Sequence, residues 1–82
     1  MRVVAKALNW VSVESSVFTS AAYRSDRRQL YLRFHHGDIY RYFEFPPQLY
    51  DEFLLADSKG RYFAHNIRNR YRYEQVHRQA AG

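Results

Sequence analysis

Pro46 and Pro47 are the only prolines in the chain, and they are adjacent. Proline cannot donate to a sheet ladder and disrupts a helix interior, but it fits the first turn of a helix. The pair therefore divides the chain into a part that reads as strands and a part that reads as helices. Upstream, Gln29 to Phe34 alternates, with Leu30, Leu32 and Phe34 on one face and Tyr31 and Arg33 on the other. His35-His36-Gly37-Asp38 reads as a hairpin turn, with Gly37 free to take positive φ, and Ile39 to Phe45 reads as the returning strand. Val17 to Tyr23 fits an earlier strand, closed by the polar turn Arg24 to Arg28. Residues 1–14 are mixed in pattern and fit an edge strand or a loosely attached arm over 1–12.

Downstream, Gln48 to Ala56 reads as a helix with Leu49, Tyr50, Phe53 and Leu54 on one side. Asp51 and Glu52 are expected in its exposed first turn, near the positive end of its dipole. Asp57 or Ser58 ends this helix and caps the next, which runs from Lys59 to about Asn69 with Phe63 and Ile67 inward. Tyr71-Arg72-Tyr73 alternates again, as a last strand or a further turn of helix, and residues 79–82 read as a frayed tail. The expected fold is α+β, a single domain over 1–82. It is an antiparallel meander of three to four strands, packed on one side by two C-terminal helices from 46–56 and 58–70.

The hairpin register decides which residues are candidates for binding. A three-residue loop with a bulge at Gly37 puts Tyr40 and Tyr42 on the face of Leu30, Leu32 and Phe34. A two-residue loop puts Ile39, Arg41 and Phe43 there instead. The bulged loop is preferred because it groups Arg41 with Arg33 on a polar face.

Fifteen of the 82 residues are aromatic, and a chain this short buries only about two-thirds of its unfolded surface. Some rings must therefore remain accessible. There is no cysteine, so neither a disulfide framework nor a thiolate site is expected. No apolar run approaches the ~20 residues of a membrane span, and the start is too short and mixed for a secretory signal, so a cytoplasmic protein without a membrane partner is expected. The four histidines lack metal-ligand spacing, and no Ser-His-Asp set, phosphate loop or cluster of perturbed acids is evident. Neither a catalytic role, a metal nor another cofactor is expected. Ser15-Ser16 reads as the close of a turn rather than as a nucleophile.

The net charge is +5 and eleven of the thirteen basic residues are Arg. Residues 44–57 carry four acids and no base, between two basic blocks, which predicts a polarised surface suited to nucleic acid. Two constellations carry that reading. In the hairpin, Tyr31, Tyr40 and Tyr42 are candidates for stacking bases, with Arg33 and Arg41 holding phosphates. The alternative is that Tyr40 and Tyr42 are core rings, which leaves Tyr31, Arg33 and Arg41 better exposed. In the second helix, Arg61, His65, Arg68 and Arg72 fall in one stripe if the helix persists that far, with Asn66 and Asn69 on its flank and Arg70 and Arg78 nearby. The alternative is a solvated face, or one paired with Asp51, Glu52 and Asp57.

Several segments, taken in order, resemble the KTSC domain, named for its place at the C-terminus of some lysyl-tRNA synthetases and also found as a stand-alone bacterial protein. They are Val13-Glu14-Ser15-Ser16-Val17, Leu30 to Phe34, Gly37, Tyr40-Arg41-Tyr42, Phe45-Pro46, Ala56 to Gly60, and Tyr62 to Tyr71. The resemblance spans residues 13–71. The second proline and the large Phe45 depart from the family pattern. The resemblance implies a fold and, from a role suggested for the family, RNA as a partner, but no mechanism. The expectation is a non-catalytic module for nucleic acid, with RNA preferred. The alternative is a protein-interaction module or homodimer that uses the same rings and Arg residues, docking through Trp10 and the N-terminal arm.

Overall fold

The computed structural model describes residues 8–77. The elements in chain order are β1 (Val11–Ser12), β2 (Phe18–Arg24), β3 (Gln29–Phe34), β4 (Ile39–Tyr42), α1 (Pro47–Leu55), α2 (Lys59–Asn66) and β5 (Tyr73–His77). The strands form one antiparallel sheet in the order β1-β2-β3-β4-β5. The architecture is α+β as expected, but the described residues form five strands rather than three or four. The two additions are the edges. Strand β1 pairs over only Val11↔Ala21 and Ser12↔Ser20, too short to leave a periodic signal. Strand β5 arises because α2 stops sooner than its spacing suggests. The Ile67 and Arg68 amides both donate to the Phe63 carbonyl, at 2.9 and 2.8 Å, and Asn69 takes φ 63°, which no right-handed helix continues. The expected helix to residue 70 therefore ends at Asn66, and the alternating segment from Tyr73 pairs with β4.

The hairpin between β3 and β4 closes through a three-residue loop. The Phe34 amide donates to the Asp38 carbonyl and the Gly37 amide to that of Phe34, both at 2.9 Å, with Gly37 at φ 101°. Leu30 faces Tyr42 and Leu32 faces Tyr40, which is the bulged register. Leu30, Leu32 and Tyr42 join Phe18, Ala21 and Phe45 in a core completed by Phe53 of α1 and by Phe63 and Ile67 from α2 and its cap. Phe18 is fully buried, and its ring lies 4.8 to 5.7 Å from those of Phe34, Phe63 and Phe53.

The helices begin as their sequences dictate. Pro46 is extended at the N-cap of α1 and Pro47 is its first residue, where a missing N–H costs nothing. The first turn is thus Pro47 to Tyr50, so Asp51 and Glu52 fall in the second turn rather than the first. Ser58 caps α2, its Oγ accepting from the Arg61 amide at 3.2 Å. The Lys59 ammonium reaches back 2.9 Å to the Ala56 carbonyl at the negative end of α1. Ser15 closes a turn before β2, its Oγ accepting from the Val17 and Phe18 amides. Tyr62 ties the two helices by donating to Glu52 at 2.8 Å.

Two predictions follow from this packing. A Cβ on Gly60 would lie 2.9 Å from Val17 Cγ2, so α2 needs glycine there to seat against the segment before β2. At an open helix position Gly→Ala stabilises by about 0.8–1 kcal/mol. Gly60→Ala is expected to lower the melting temperature instead, and to raise it in a Val17→Ala background, as thermal denaturation would measure. The second concerns alkali. Burial first, and then the Glu52 hydrogen bond, push the Tyr62 phenol up to about 12 from its ordinary 10.0. Burial likewise raises Tyr42, Tyr50 and Tyr23. Unfolded phenols ionise more easily than folded ones, so this stability is complete below pH 10.0 and is lost as pH rises toward about 12. Ultraviolet titration of phenolate against circular dichroism should show ionisation coinciding with unfolding. Glu52→Gln should lower the Tyr62 midpoint.

Candidate nucleic-acid interface

Both helices pack on the side of the sheet that carries Leu30, Leu32 and Tyr42. Alternation turns Tyr31, Arg33, Arg41 and Phe43 to the other side. Among the described residues, no helix covers this second face. A row of rings and guanidiniums crosses it. The Arg33 Cζ lies 4.6 Å from the centroid of Trp10, and Trp10 meets Tyr31 edge-on at 6.4 Å. Arg41 sits 5.8 Å from the Tyr31 ring and 5.3 Å from Phe43, and Arg72 lies 4.1 Å from Phe43. Each guanidinium is drawn to ring π-density. Stacking uses the plane of the group and does not consume its N–H donors, although those of Arg41 are already turned to the Tyr31 hydroxyl and to Glu74.

The structure thus brings Arg33 and Arg41 together as expected and adds Arg72 to them. It removes Tyr31 from the stacking role, since that ring is 6% exposed beneath Trp10 and Arg41. The Tyr31 hydroxyl donates to Gln29 and accepts from Arg41, both at 3.2 Å. Trp10, expected as a docking residue of a loose arm, packs on its own sheet. Arg41 is paired with Glu74 directly opposite it on β5, while its Nε is buried without a hydrogen-bond partner. Trp10 and Phe43 belong to this face, although neither is among the nucleic-acid candidates expected from the sequence. Phe43 was legible as the i+2 neighbour of Arg41, but Trp10 lies before any recognisable strand.

The expected stripe on the second helix is broken where α2 ends. Arg61 and His65 remain together on the helix and line a shallow depression of about 410 Å³ with Asp57 and Asn66. Arg70 folds back, its Nε donating to the His65 carbonyl at 3.0 Å, and so neutralises the helix C-terminus. Arg68 turns over the Phe63 ring at 5.7 Å, and Arg72 passes to the opposite face of the sheet. Among the described residues, Asp51, Glu52 and Asp57 form no ion pair with these arginines. Arg78 lies outside the described residues.

Tyr40 and Tyr42 face the core side, as the bulged register requires. Tyr42 is buried, and Tyr40 is half-buried against Phe34 and Tyr73. His35 contacts the Ser15 carbonyl at 2.6 Å and His36 approaches Asp38 at 3.6 Å. No cluster among the described residues could hold a metal ion, and no described helix is long and apolar enough to cross a membrane.

Comparison with known proteins agrees with this architecture. A protein of Tsukamurella paurometabola is 40% identical over 60 residues, covering 73% of this chain and 90% of its own. The lysine–tRNA ligase of Nostoc punctiforme is 32% identical over 63 residues, 77% of this chain but only 11% of the ligase. The crystal structure of a KTSC domain protein from Yersinia pestis superimposes with a TM-score of 0.81 at 30% identity, covering 87% of this chain and all of that one. The KTSC domain family matches residues 14–78, and the chain belongs to that family.

Proposed function

We propose that this domain is a non-catalytic binding module for single-stranded RNA, and that the uncovered sheet face is where the strand's phosphates lie. The observation that carries this reading is the row in which Arg33, Arg41 and Arg72 are held on Trp10, Tyr31 and Phe43. Guanidiniums fixed by stacking lose little side-chain freedom on binding, and their N–H forks match phosphate oxygens. The net charge of +5 draws a polyanion toward the domain. A second support is that relatives of this domain occur within lysine–tRNA ligases, whose substrate includes an RNA.

Affinity for a short single-stranded RNA should fall with salt, with a log–log slope of about −0.7 for each phosphate contacted. Arg33→Gln and Arg72→Gln should each weaken binding and flatten that slope by about 0.7. Glu74→Gln should do the reverse, because it releases Arg41 from its carboxylate. An amide titration should place the shifts on β3, β4 and the Phe43–Arg72 pair. Binding that ignores salt, or a Glu74→Gln variant that binds less, would sink the reading.

A further inference from the structure

The helices do not cover the whole of the core side. Beyond the end of α2, where the chain turns into β5, a cleft of about 320 Å³ opens over the far part of the sheet. Tyr42 and Phe63 form its buried floor, their rings 5.9 Å apart. Tyr73 forms a wall and is 54% exposed, although its ring lies 5.7 Å from those of both Tyr40 and Tyr42. A large ring left open beside buried ones offers a stacking surface. Polar groups stand at the rim. His36 lies flat against Phe34 at 5.3 Å, with its Nδ1 3.6 Å from the Asp38 carboxylate. Arg68 hangs over Phe63 and has no carboxylate partner among the described residues. Asn69 lines the cleft from a left-handed backbone position at φ 63°.

We propose that this cleft holds one unstacked nucleobase, with the phosphate of the same nucleotide on Arg68. The proposal rests on the nucleic-acid reading for its class of ligand, but not on the sheet face. The volume is at the small end of the about 300–1,000 Å³ typical of small-molecule sites, so it suits a single planar group. Tyr73 and Tyr40 supply ring surface for it. The Asn69 carboxamide can donate and accept, as a base edge requires. A guanidinium at the rim with no carboxylate partner among the described residues calls for a ligand that joins a flat ring to an anion, which an ordinary aromatic side chain of a protein does not.

The test is titration of the whole chain with AMP, UMP and adenosine, followed by amide and aromatic-ring shifts. AMP or UMP should move the signals of His36, Arg68, Asn69 and Tyr73, and adenosine should bind several-fold more weakly than AMP. Tyr73→Thr, which keeps a strand-forming residue, should weaken AMP binding by about tenfold. Arg68→Gln should abolish the difference between AMP and adenosine. Asn69→Gly keeps the left-handed backbone available and should weaken AMP without lowering the melting temperature. The absence of shifts with both nucleotides, or tighter binding of a phosphotyrosine peptide, would overturn the proposal. RNA that shifts the sheet face but leaves the cleft unmoved overturns the cleft alone. AMP that occupies the cleft while RNA leaves the sheet face unmoved supports the cleft and overturns the sheet reading.

Discussion

The position at which the β3–β4 hairpin turns governs the rest of this domain. His35 to Gly37 form the loop, and the glycine at φ 101° allows a bulge there that an L-residue would resist. With that register, Tyr40 and Tyr42 sink toward the helices, while Tyr31, Arg33 and Arg41 face the other way. A slip of one residue would exchange the two sets. Arg41 would then be driven among Leu30, Phe53 and Phe63, and a charge without a partner in such a place is not tolerated. The same register sets β4 against β5, so it also puts Glu74 opposite Arg41 and Tyr73 beside Tyr42.

Given that register, the surplus of rings is divided by chemistry. Phe18, Phe45 and Phe53 have nothing to satisfy and are fully buried. Tyr23 and Tyr62 sit at the margins of the core, where their hydroxyls reach a partner. Tyr23 donates to the Phe45 carbonyl and Tyr62 to Glu52. Trp10, Tyr31 and Phe43 face away from the core, and there the arginines take the place of a helix as covering. A domain too small to bury all its rings in one core thus shields the remainder with side chains that remain hydrated at their tips.

Elements whose evidence is local were readable from the chain. The alternation of Gln29 to Phe34, the glycine in the turn, the proline pair and the capping serine at Ser58 each act over a few residues, and each appears where expected. The helical spacing of Arg61, His65, Arg68 and Arg72 was misleading for a physical reason. Side-chain periodicity says which residues would share a face, but backbone hydrogen bonding decides whether the helix continues. Here the doubly used Phe63 carbonyl and the left-handed Asn69 stop it. The uncovered sheet face was half legible. Arg33 and Arg41 follow from the register, whereas Trp10 and Arg72 join them from the residues just before the edge strands, whose pairing exists only once the sheet is assembled. Burial of Tyr31 follows from Trp10 and could not be seen without it.

Rings and guanidiniums meet in two different ways on the two sides of the sheet. On the face away from the helices the arginines already lie over the rings, so a ligand meets guanidinium groups before it meets open ring surface, which suits oxygen anions better than bases. In the cleft the relation is inverted. Tyr73 is about half exposed, and the guanidinium of Arg68 stands at the rim over Phe63, not over the exposed ring. That side can accept a planar group with its anion alongside. Lysine could serve at neither place, since an ammonium has no plane to stack and no fork to offer once stacked. The preponderance of arginine, eleven of thirteen basic residues, is what an arrangement built on stacked cations demands, whereas a positive charge serving only for hydration would be met as well by lysine.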